Sequence, residues 1–196
     1  MIGSRMLSAI LAVASFAAVS PVFSQTPPAA YQAPSPFTIG AGASNFNVDW
    51  GRNRMFGYSI WGDWHLGTLP RPFDGLGIEF EARDLAFDRG ADLGPSFRQD
   101  TLGAGPMYTF RHYRRFRPFG KLLIDYGRLD NDKSQILTTS VLAPAIGFEV
   151  HAIPHLWVRA DYEYQIWSNL LNGKDLDPQG FTLGVSYDFR SFRSFR

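Results

Sequence analysis

The sequence predicts an all-β chain, an eight-stranded antiparallel up-and-down transmembrane β-barrel. Three observations carry that expectation. The first is HLWVRADYEYQIW at 155–167, where Leu156, Val158, Ala160, Tyr162, Tyr164 and Ile166 alternate with Trp157, Arg159, Asp161, Glu163, Gln165 and Trp167. Side chains on a strand point to opposite faces with period two, so one face is continuously apolar and the other carries both signs of charge. The run also reaches the roughly 9–11 residues that a tilted strand needs to cross a bilayer. The second observation is that the pattern recurs along the chain. The third is that the connections between the repeats alternate between short and long, as they do in barrels that cross a membrane.

The N-terminal residues imply export. Arg5 gives a short basic start, Met6 to Val19 is an apolar run, Ser20-Pro21 breaks it, and Val22-Phe23-Ser24 supplies a cleavage site. Residues 1–24 are therefore expected to be a secretory signal peptide. The alternative, a retained membrane helix, is disfavoured because the run is shorter than the roughly 20 residues a span requires. Residues 25–36 read as a Pro-rich periplasmic leader with too little apolar content to fold.

From Phe37 eight period-two segments follow, at about 37–48, 56–68, 75–87, 101–112, 118–128, 137–150, 155–167 and 180–190. The first is the weakest, rich in Gly and Ala, with Phe37 and Ile39 its clear apolar residues. The second turns Tyr58, Ile60, Trp64 and Leu66 outward, the third Leu76, Ile78, Phe80 and Ala82. The fourth shows Leu102, Ala104, Tyr108 and Phe110, the fifth Leu122, Ile124 and Tyr126, and the sixth Leu142, Ile146, Phe148 and Val150. The seventh is the stretch described above, and the eighth alternates Phe181, Leu183, Val185, Tyr187 and Phe189 with Thr182, Gly184, Ser186 and Asp188. A barrel is expected over 37–190, followed by a short basic and aromatic tail at 191–196.

TLPRPFDG, RHYRRFRP and HAIPH read as compact turns, whereas ADLGPSFRQD, RLDNDKSQI and NLLNGKDLDPQG read as longer loops. With an even strand number both barrel ends share the side of the short turns. Composition agrees. A formal net charge of +1 argues against a nucleic-acid partner, and the absence of cysteine excludes disulfides and thiolate metal sites. Aromatic residues make up 15% of the chain and there are 19 glycines, as suits a narrow barrel with interfacial girdles. Trp50, Trp61, Trp64, Tyr108, Phe110, Tyr164 and Trp167 lie near strand ends and are expected in those girdles.

The chain resembles the OmpA-like and OmpX-like group of eight-stranded outer-membrane β-barrel proteins over about Phe37 to Phe189. Its most specific match is GVSYDF, where Tyr187 and Phe189 are similar to the Tyr-x-Phe that ends the family's assembly signal. The resemblance implies a cell outer-membrane location. It also implies handling by the barrel-assembly machinery and periplasmic chaperones, contact with outer-membrane lipid and lipopolysaccharide, and an extracellular ligand still to be identified. The chain departs from the pattern where RSFRSFR follows Phe189, and no peptidoglycan-binding domain is expected after the barrel.

The inward faces carry Asp63, Glu79, Glu81, Arg83, Arg111, Lys121, Asp125, Glu149, Arg159, Asp161, Glu163 and Asp188. An eight-stranded barrel is only wide enough for its own side chains, so these are expected to form a paired interior network rather than an ion path. Arg159 and Arg83 are its expected central cations, for Glu81, Asp161 or Glu163. His151 and His155 flank a turn and make no metal site, and neither a metal nor a cofactor is expected. Deacylases among small barrels place a His two residues before a lipid-facing Ser; here Ile166 precedes Ser168, so no catalytic residues are expected. Asp92, Asp100, Asp130, Asn131, Asp132, Asp175 and Asp177 read as solvated loop residues. Arg71, Arg114, Arg115, Arg117, Arg193 and Arg196 are expected to face phospholipid head groups on the opposite rim.

The expected role is that of an integral outer-membrane protein, structural or surface-interacting, without a large pore. The alternatives are a lipid-modifying outer-membrane enzyme and a soluble lipocalin-like barrel binding a small apolar ligand, which would turn the charged face to water and the apolar face inward.

Overall fold

The computed structural model describes residues 37–47, 54–66, 69–70, 72–87, 97–110, 115–131, 135–171 and 174–189. The expected signal peptide, leader and tail, and with them Trp50, Arg71, Asp92, Arg111, Arg114, Asp132, Arg193 and Arg196, lie outside these residues. The elements are β1 (Phe37–Asn47), β2 (Arg54–His65), β3 (Leu76–Phe87), β4 (Phe97–Thr109), β5 (Phe116–Asn131), β6 (Gln135–Ile153), β7 (Leu156–Tyr164), β8 (Ile166–Leu171), β9 (Lys174–Leu176) and β10 (Gln179–Phe189). A 3-10 turn, Phe73–Gly75, sits between β2 and β3.

Ten strands make eight staves. β7 pairs with β6 through Ala145–Glu163, and β8 continues the same register through Leu142–Ile166. Likewise Tyr164–Gln179 and Trp167–Leu176 belong to one register, so β9 and β10 are one stave. Every neighbouring pair is antiparallel, and β1 pairs with β10 along its whole length, from Phe37–Phe189 to Asn47–Gln179. The sheet thus has no edge, as a wall in lipid requires.

The ladder also sets the size of the barrel. Stepping between partners from His65 leads through Gly77, Met107, Lys121, Ala145, Glu163, Gly180 and Phe46 to Met55. The circuit returns to β2 ten residues from where it began. With eight staves, a rise of about 3.3 Å per residue and a spacing of about 4.8 Å, that stagger tilts the strands by roughly 40° on a backbone radius of roughly 8 Å. Only side chains fit inside.

The alternation has the sense that lipid demands. Tyr58, Ile60, Phe80, Leu102, Ile124, Ile146 and Leu183 are exposed, whereas Arg83, Lys121, Arg159 and Glu163 are buried. The soluble lipocalin alternative, which needs the opposite sense, is overturned. At the end holding both termini of the barrel, an outer ring is built from Phe37 and Phe189, Tyr108 and Phe110, and Phe116 and Phe148, all in ring contact.

Two tryptophans depart from the girdle expectation. Trp61 and Trp167 are 3% and 0% exposed and point inward. They fit because large interior rings are set against glycine. Trp61 pairs directly with Gly40, Phe46 with Gly180, and Phe119 with Gly147. A Cβ at Gly40 would come within 2.3 Å of the Trp61 ring, and one at Gly147 or Gly180 within 2.5 Å of its partner ring. The ring covers the backbone that the missing side chain leaves bare, a cross-strand device known from sheets. Gly40→Ala is accordingly expected to cost about 1–3 kcal/mol by overpacking. Chemical unfolding in liposomes would measure this, and an unchanged midpoint would show that the ring can move aside.

Strand lengths differ from the sequence expectation at the end away from the termini. β4 begins at Phe97, β5 runs to Asn131 and β6 starts at Gln135, so most of RLDNDKSQI is strand rather than loop. Past the hydrocarbon the outward face meets water and takes charged residues such as Arg98 and Arg128, while the inward face stays buried at Gln99 and Leu129, so the apolar-out pattern is lost although the pleat continues.

Candidate functional site

The interior divides into three layers, built by inward residues of different staves. Nearest the termini, Asp188 gathers donors from three directions. Thr38 Oγ1 donates to it at 2.8 Å, Trp157 Nε1 at 3.0 Å and an Arg117 guanidinium nitrogen at 3.5 Å. The Asp188 N–H donates to the His155 carbonyl at 2.8 Å, and the His155 ring stacks on Tyr187. His155 itself has φ of 68°, a turn conformation that few non-glycine residues adopt. Arg117, expected at the head groups, instead turns into the barrel. Its guanidinium lies 3.5 Å over the Trp157 ring and 4.0 Å from Glu149, because a planar cation gains more from a ring and two carboxylates than from water. Arg115 is exposed.

The middle layer is a lattice of charges. Arg159, fully buried, donates to both oxygens of Glu79 at 2.8 and 3.0 Å and to Asp161 at 3.0 Å, and lies 3.6 Å from Asp63. Trp61 and Phe119 flank it at 4.7 and 4.3 Å. Arg83 bridges Glu81 on its own strand and Glu163 across the barrel, with Phe46 at 4.5 Å. Lys121 joins the two halves, reaching Glu79 at 2.7 Å, Glu81 in a short contact and Glu163 at 3.6 Å. The sequence reading named Arg159 and Arg83 as hubs and missed this third one. The sequence placed Lys121 on the inward face, but its partners Glu79, Glu81 and Glu163 stand on β3 and β7 and are set by register and closure. Glu149 accepts from Ser186 at 3.1 Å. Asp125 makes no ion pair among the described residues, and one oxygen each of Asp63, Asp125 and Asp161 accepts no hydrogen bond there.

The third layer closes the barrel towards the loops. Gln165 links the charges to the cap, donating to Glu163 at 2.9 Å and accepting from Gln99 at 2.7 Å and Trp167 Nε1 at 2.9 Å. Above it Phe46, Met55, Leu85, Leu129, Val141, Trp167 and Leu176 form one buried apolar cluster. Gln99 and Gln165 were not singled out in the sequence because a lone amide carries no recognisable pattern.

Outside the barrel at this end, Arg98 pairs with Asp84 at 2.8 Å and Asp100 at 3.1 Å, and Arg128 with Asp130 at 3.3 Å, all at exposed positions. Asp100 and Asp130 are thus ion-paired on the wall. Among the described residues no group of three or more acids or histidines is arranged to hold a metal. Ser168 is exposed, and its carbonyl accepts from Thr139 Oγ1 at 2.7 Å.

The family described as outer membrane protein beta-barrel domain matches residues 12–189. No curated protein matches the chain in sequence. Among solved structures, Neisserial surface protein A has 16% identity and a TM-score of 0.66, covering 81% of this chain and 100% of its own. OprG from Pseudomonas aeruginosa has 13% identity and a TM-score of 0.58, with 82% and 98% covered. Ail, the attachment invasion locus protein of Yersinia pestis, has 18% identity and a TM-score of 0.53, with 81% and 99% covered. At these identities the likeness is one of fold.

Proposed function

The chain belongs to the outer-membrane β-barrel domain family, and on that premise we propose that it is an integral outer-membrane protein whose work is done on its surface. It acts structurally or through its extracellular loops, without catalysis and without a substantial pore. One observation carries this reading. The lumen is crossed by the Arg159–Glu79 and Arg83–Glu163 bridges and capped by an apolar cluster, so a hydrated ion meets both a charge lattice and a dry layer. Opening such a lattice strands buried charges, which costs several kcal/mol.

In planar bilayers the protein is expected to give no large, stable single-channel steps. Steady conductance of porin size would overturn the plugged-barrel reading. Catalysis is disfavoured by Ile166 standing where a general base would precede Ser168. A signal peptide cleaved after about Ser24 and an assembly address in Tyr187 and Phe189 belong to the same proposal.

The surface-interaction part draws on the staves that rise above the apolar band with charged outward residues, Arg98 and Arg128 among them. The Yersinia pestis protein with the same fold has been solved with sucrose octasulfate, a heparin analogue. By that analogy a sulfated polysaccharide is the first ligand class to test, alongside matrix proteins and complement factors. Cells displaying the intact protein should retain such a ligand, and exchanging the loops for short turns should remove the binding. Binding that survives the exchange would count against the loops.

A further inference from the structure

The barrel closes where β1 meets β10, and charge is nearly absent from that seam. β1, FTIGAGASNFN, has no acidic or basic residue, and its centre is Gly40-Ala41-Gly42-Ala43. β10, QGFTLGVSYDF, has one, Asp188. The interior lattice bypasses both strands. Arg159, Arg83 and Lys121 tie together β2, β3, β5 and β7, and Arg117 with Glu149 adds β6. Along the seam itself stand ladder bonds, the outer Phe37–Phe189 ring contact and neutral hydroxyls such as Ser44 and Thr182 at 2.9 Å.

Asp188 is the exception, and it stands at the end of the seam. It lies directly opposite Thr38, one residue in from the last pair, Phe37–Phe189. One oxygen of its buried carboxylate accepts from the Thr38 hydroxyl, the other from Trp157 Nε1 and Arg117. Those donors stand on β1, β7 and β5, so one side chain ties the seam to two further staves. The β6–β7 turn grips the same residue through its backbone. The Asp188 N–H donates to the His155 carbonyl at 2.8 Å, and His155 Nδ1 lies 3.2 Å from the Asp188 carbonyl. Hydrogen bonds to a carboxylate are roughly twice as strong as those between neutral groups. Strands fray from their ends, so a strong contact beside the terminal pair decides whether unzipping begins.

We propose that Asp188 is the lock of the β1–β10 seam. With it in place the last strand is held to the first at the end from which the seam would open. Parting the strands there takes Thr38 away and leaves a buried carboxylate short of a donor, so the end of the seam opens as a unit or not at all. The lock acts inside the wall. It is separate from the Tyr187 and Phe189 rings, which face outward, and it holds the barrel after closure rather than addressing it beforehand.

The test reads seam opening residue by residue, as amide exchange measured by NMR on the full chain folded in lipid nanodiscs. Because the Asp188 N–H points to β7, alternation along the ladder turns the amides of Ile39 and Tyr187 to each other across the seam. Tyr108 and Gly120, which face each other between β4 and β5, serve as the reference. Both pairs should be protected in the wild type. Asp188→Asn keeps the shape but turns one acceptor oxygen into a donor. It should speed exchange at Ile39 and Tyr187 by about tenfold or more and leave Tyr108 and Gly120 within about twofold. Thr38→Val deletes the cross-seam donor alone and should give the same pattern at smaller size, and it carries the test if Asp188→Asn does not fold. Asp161→Asn, which removes a lattice charge on β7, should not open the seam selectively. Equal acceleration at both pairs would reduce Asp188 to general stability, and no acceleration at either would mean that the seam needs no lock. Either result, or selective opening by Asp161→Asn, overturns the proposal.

Discussion

Replacing Arg159 by Leu is expected to destabilise the folded barrel by about 3–5 kcal/mol, the cost of removing one partner from a buried ionic cluster. The side chain is fully buried and contacts three carboxylates, Glu79, Asp161 and Asp63. Glu79 would keep Lys121 at 2.7 Å, but Asp63 has no other cation within ion-pair distance among the described residues. Leu has nearly the right bulk to fill the space between Trp61 and Phe119, so the loss would report charge rather than cavity. Arg159→Lys should fall between the two, because an ammonium cannot reproduce a guanidinium whose three nitrogens reach Glu79, Asp161 and Asp63 separately. The measurement is the denaturant midpoint of protein refolded into liposomes. Adding Asp63→Asn to Arg159→Leu should recover part of the loss, since Asp63 and Asp161 each have Arg159 as their ion-pair partner among the described residues and the change removes one of those two stranded charges, and the double-mutant cycle isolates that coupling. A loss under about 1 kcal/mol, the value of a solvated surface pair, would mean that water fills the lumen and that the plug is not dry.

Phe189→Asp is expected to abolish assembly, whereas deletion of Ser191 to Arg196 leaves insertion largely intact. Folded-state energetics alone do not account for such a loss. Phe189 lies at the terminal end of β10, opposite Phe37, with a ring contact of 5.8 Å. A charge on the lipid face near the interface costs about 0–1 kcal/mol, and Asp costs less than Lys or Arg. The barrel could absorb that much once closed. On the proposed reading of Tyr187 and Phe189 as an assembly address, what cannot be absorbed is loss of the aromatic residue read before closure. Asp188 sharpens the point, since its partners Thr38, Trp157 and Arg117 stand on β1, β7 and β5 and can latch only when β10 has arrived. Surface labelling of intact cells, set against periplasmic degradation products, separates the variants. If the tail deletion fails and Phe189→Asp assembles, the address lies beyond the last strand.

Period-two alternation was enough to turn residues of the seven strong segments such as Ile60, Phe80, Leu102, Ile124, Ile146 and Leu183 outward. The physical reason is that a strand with one side in hydrocarbon and the other against charge has no freedom to misplace a residue. It was also enough to place Arg83, Lys121, Arg159 and the acids on one face. The same signal fails where its cause is absent. Above the apolar band β4, β5 and β6 run on with inward residues still buried but with polar residues on the outward face, and the sequence suggested loops there. Trp61 and Trp167 were assigned to girdles by residue type and position, although parity already placed Trp167 on the polar face. Only the closed sheet shows why rings of that size fit inside, since Gly40 lies directly opposite Trp61 on a strand that looked merely weak. Which charges meet was likewise decided by closure. Arg159 finds Glu79 and Arg83 finds Glu163, each 80 residues away, because the ten-residue stagger brings those positions to overlapping heights across a lumen too narrow to keep them apart. A single strand determines the side a residue faces, whereas its partner depends on register and shear, which exist only when the last strand has met the first.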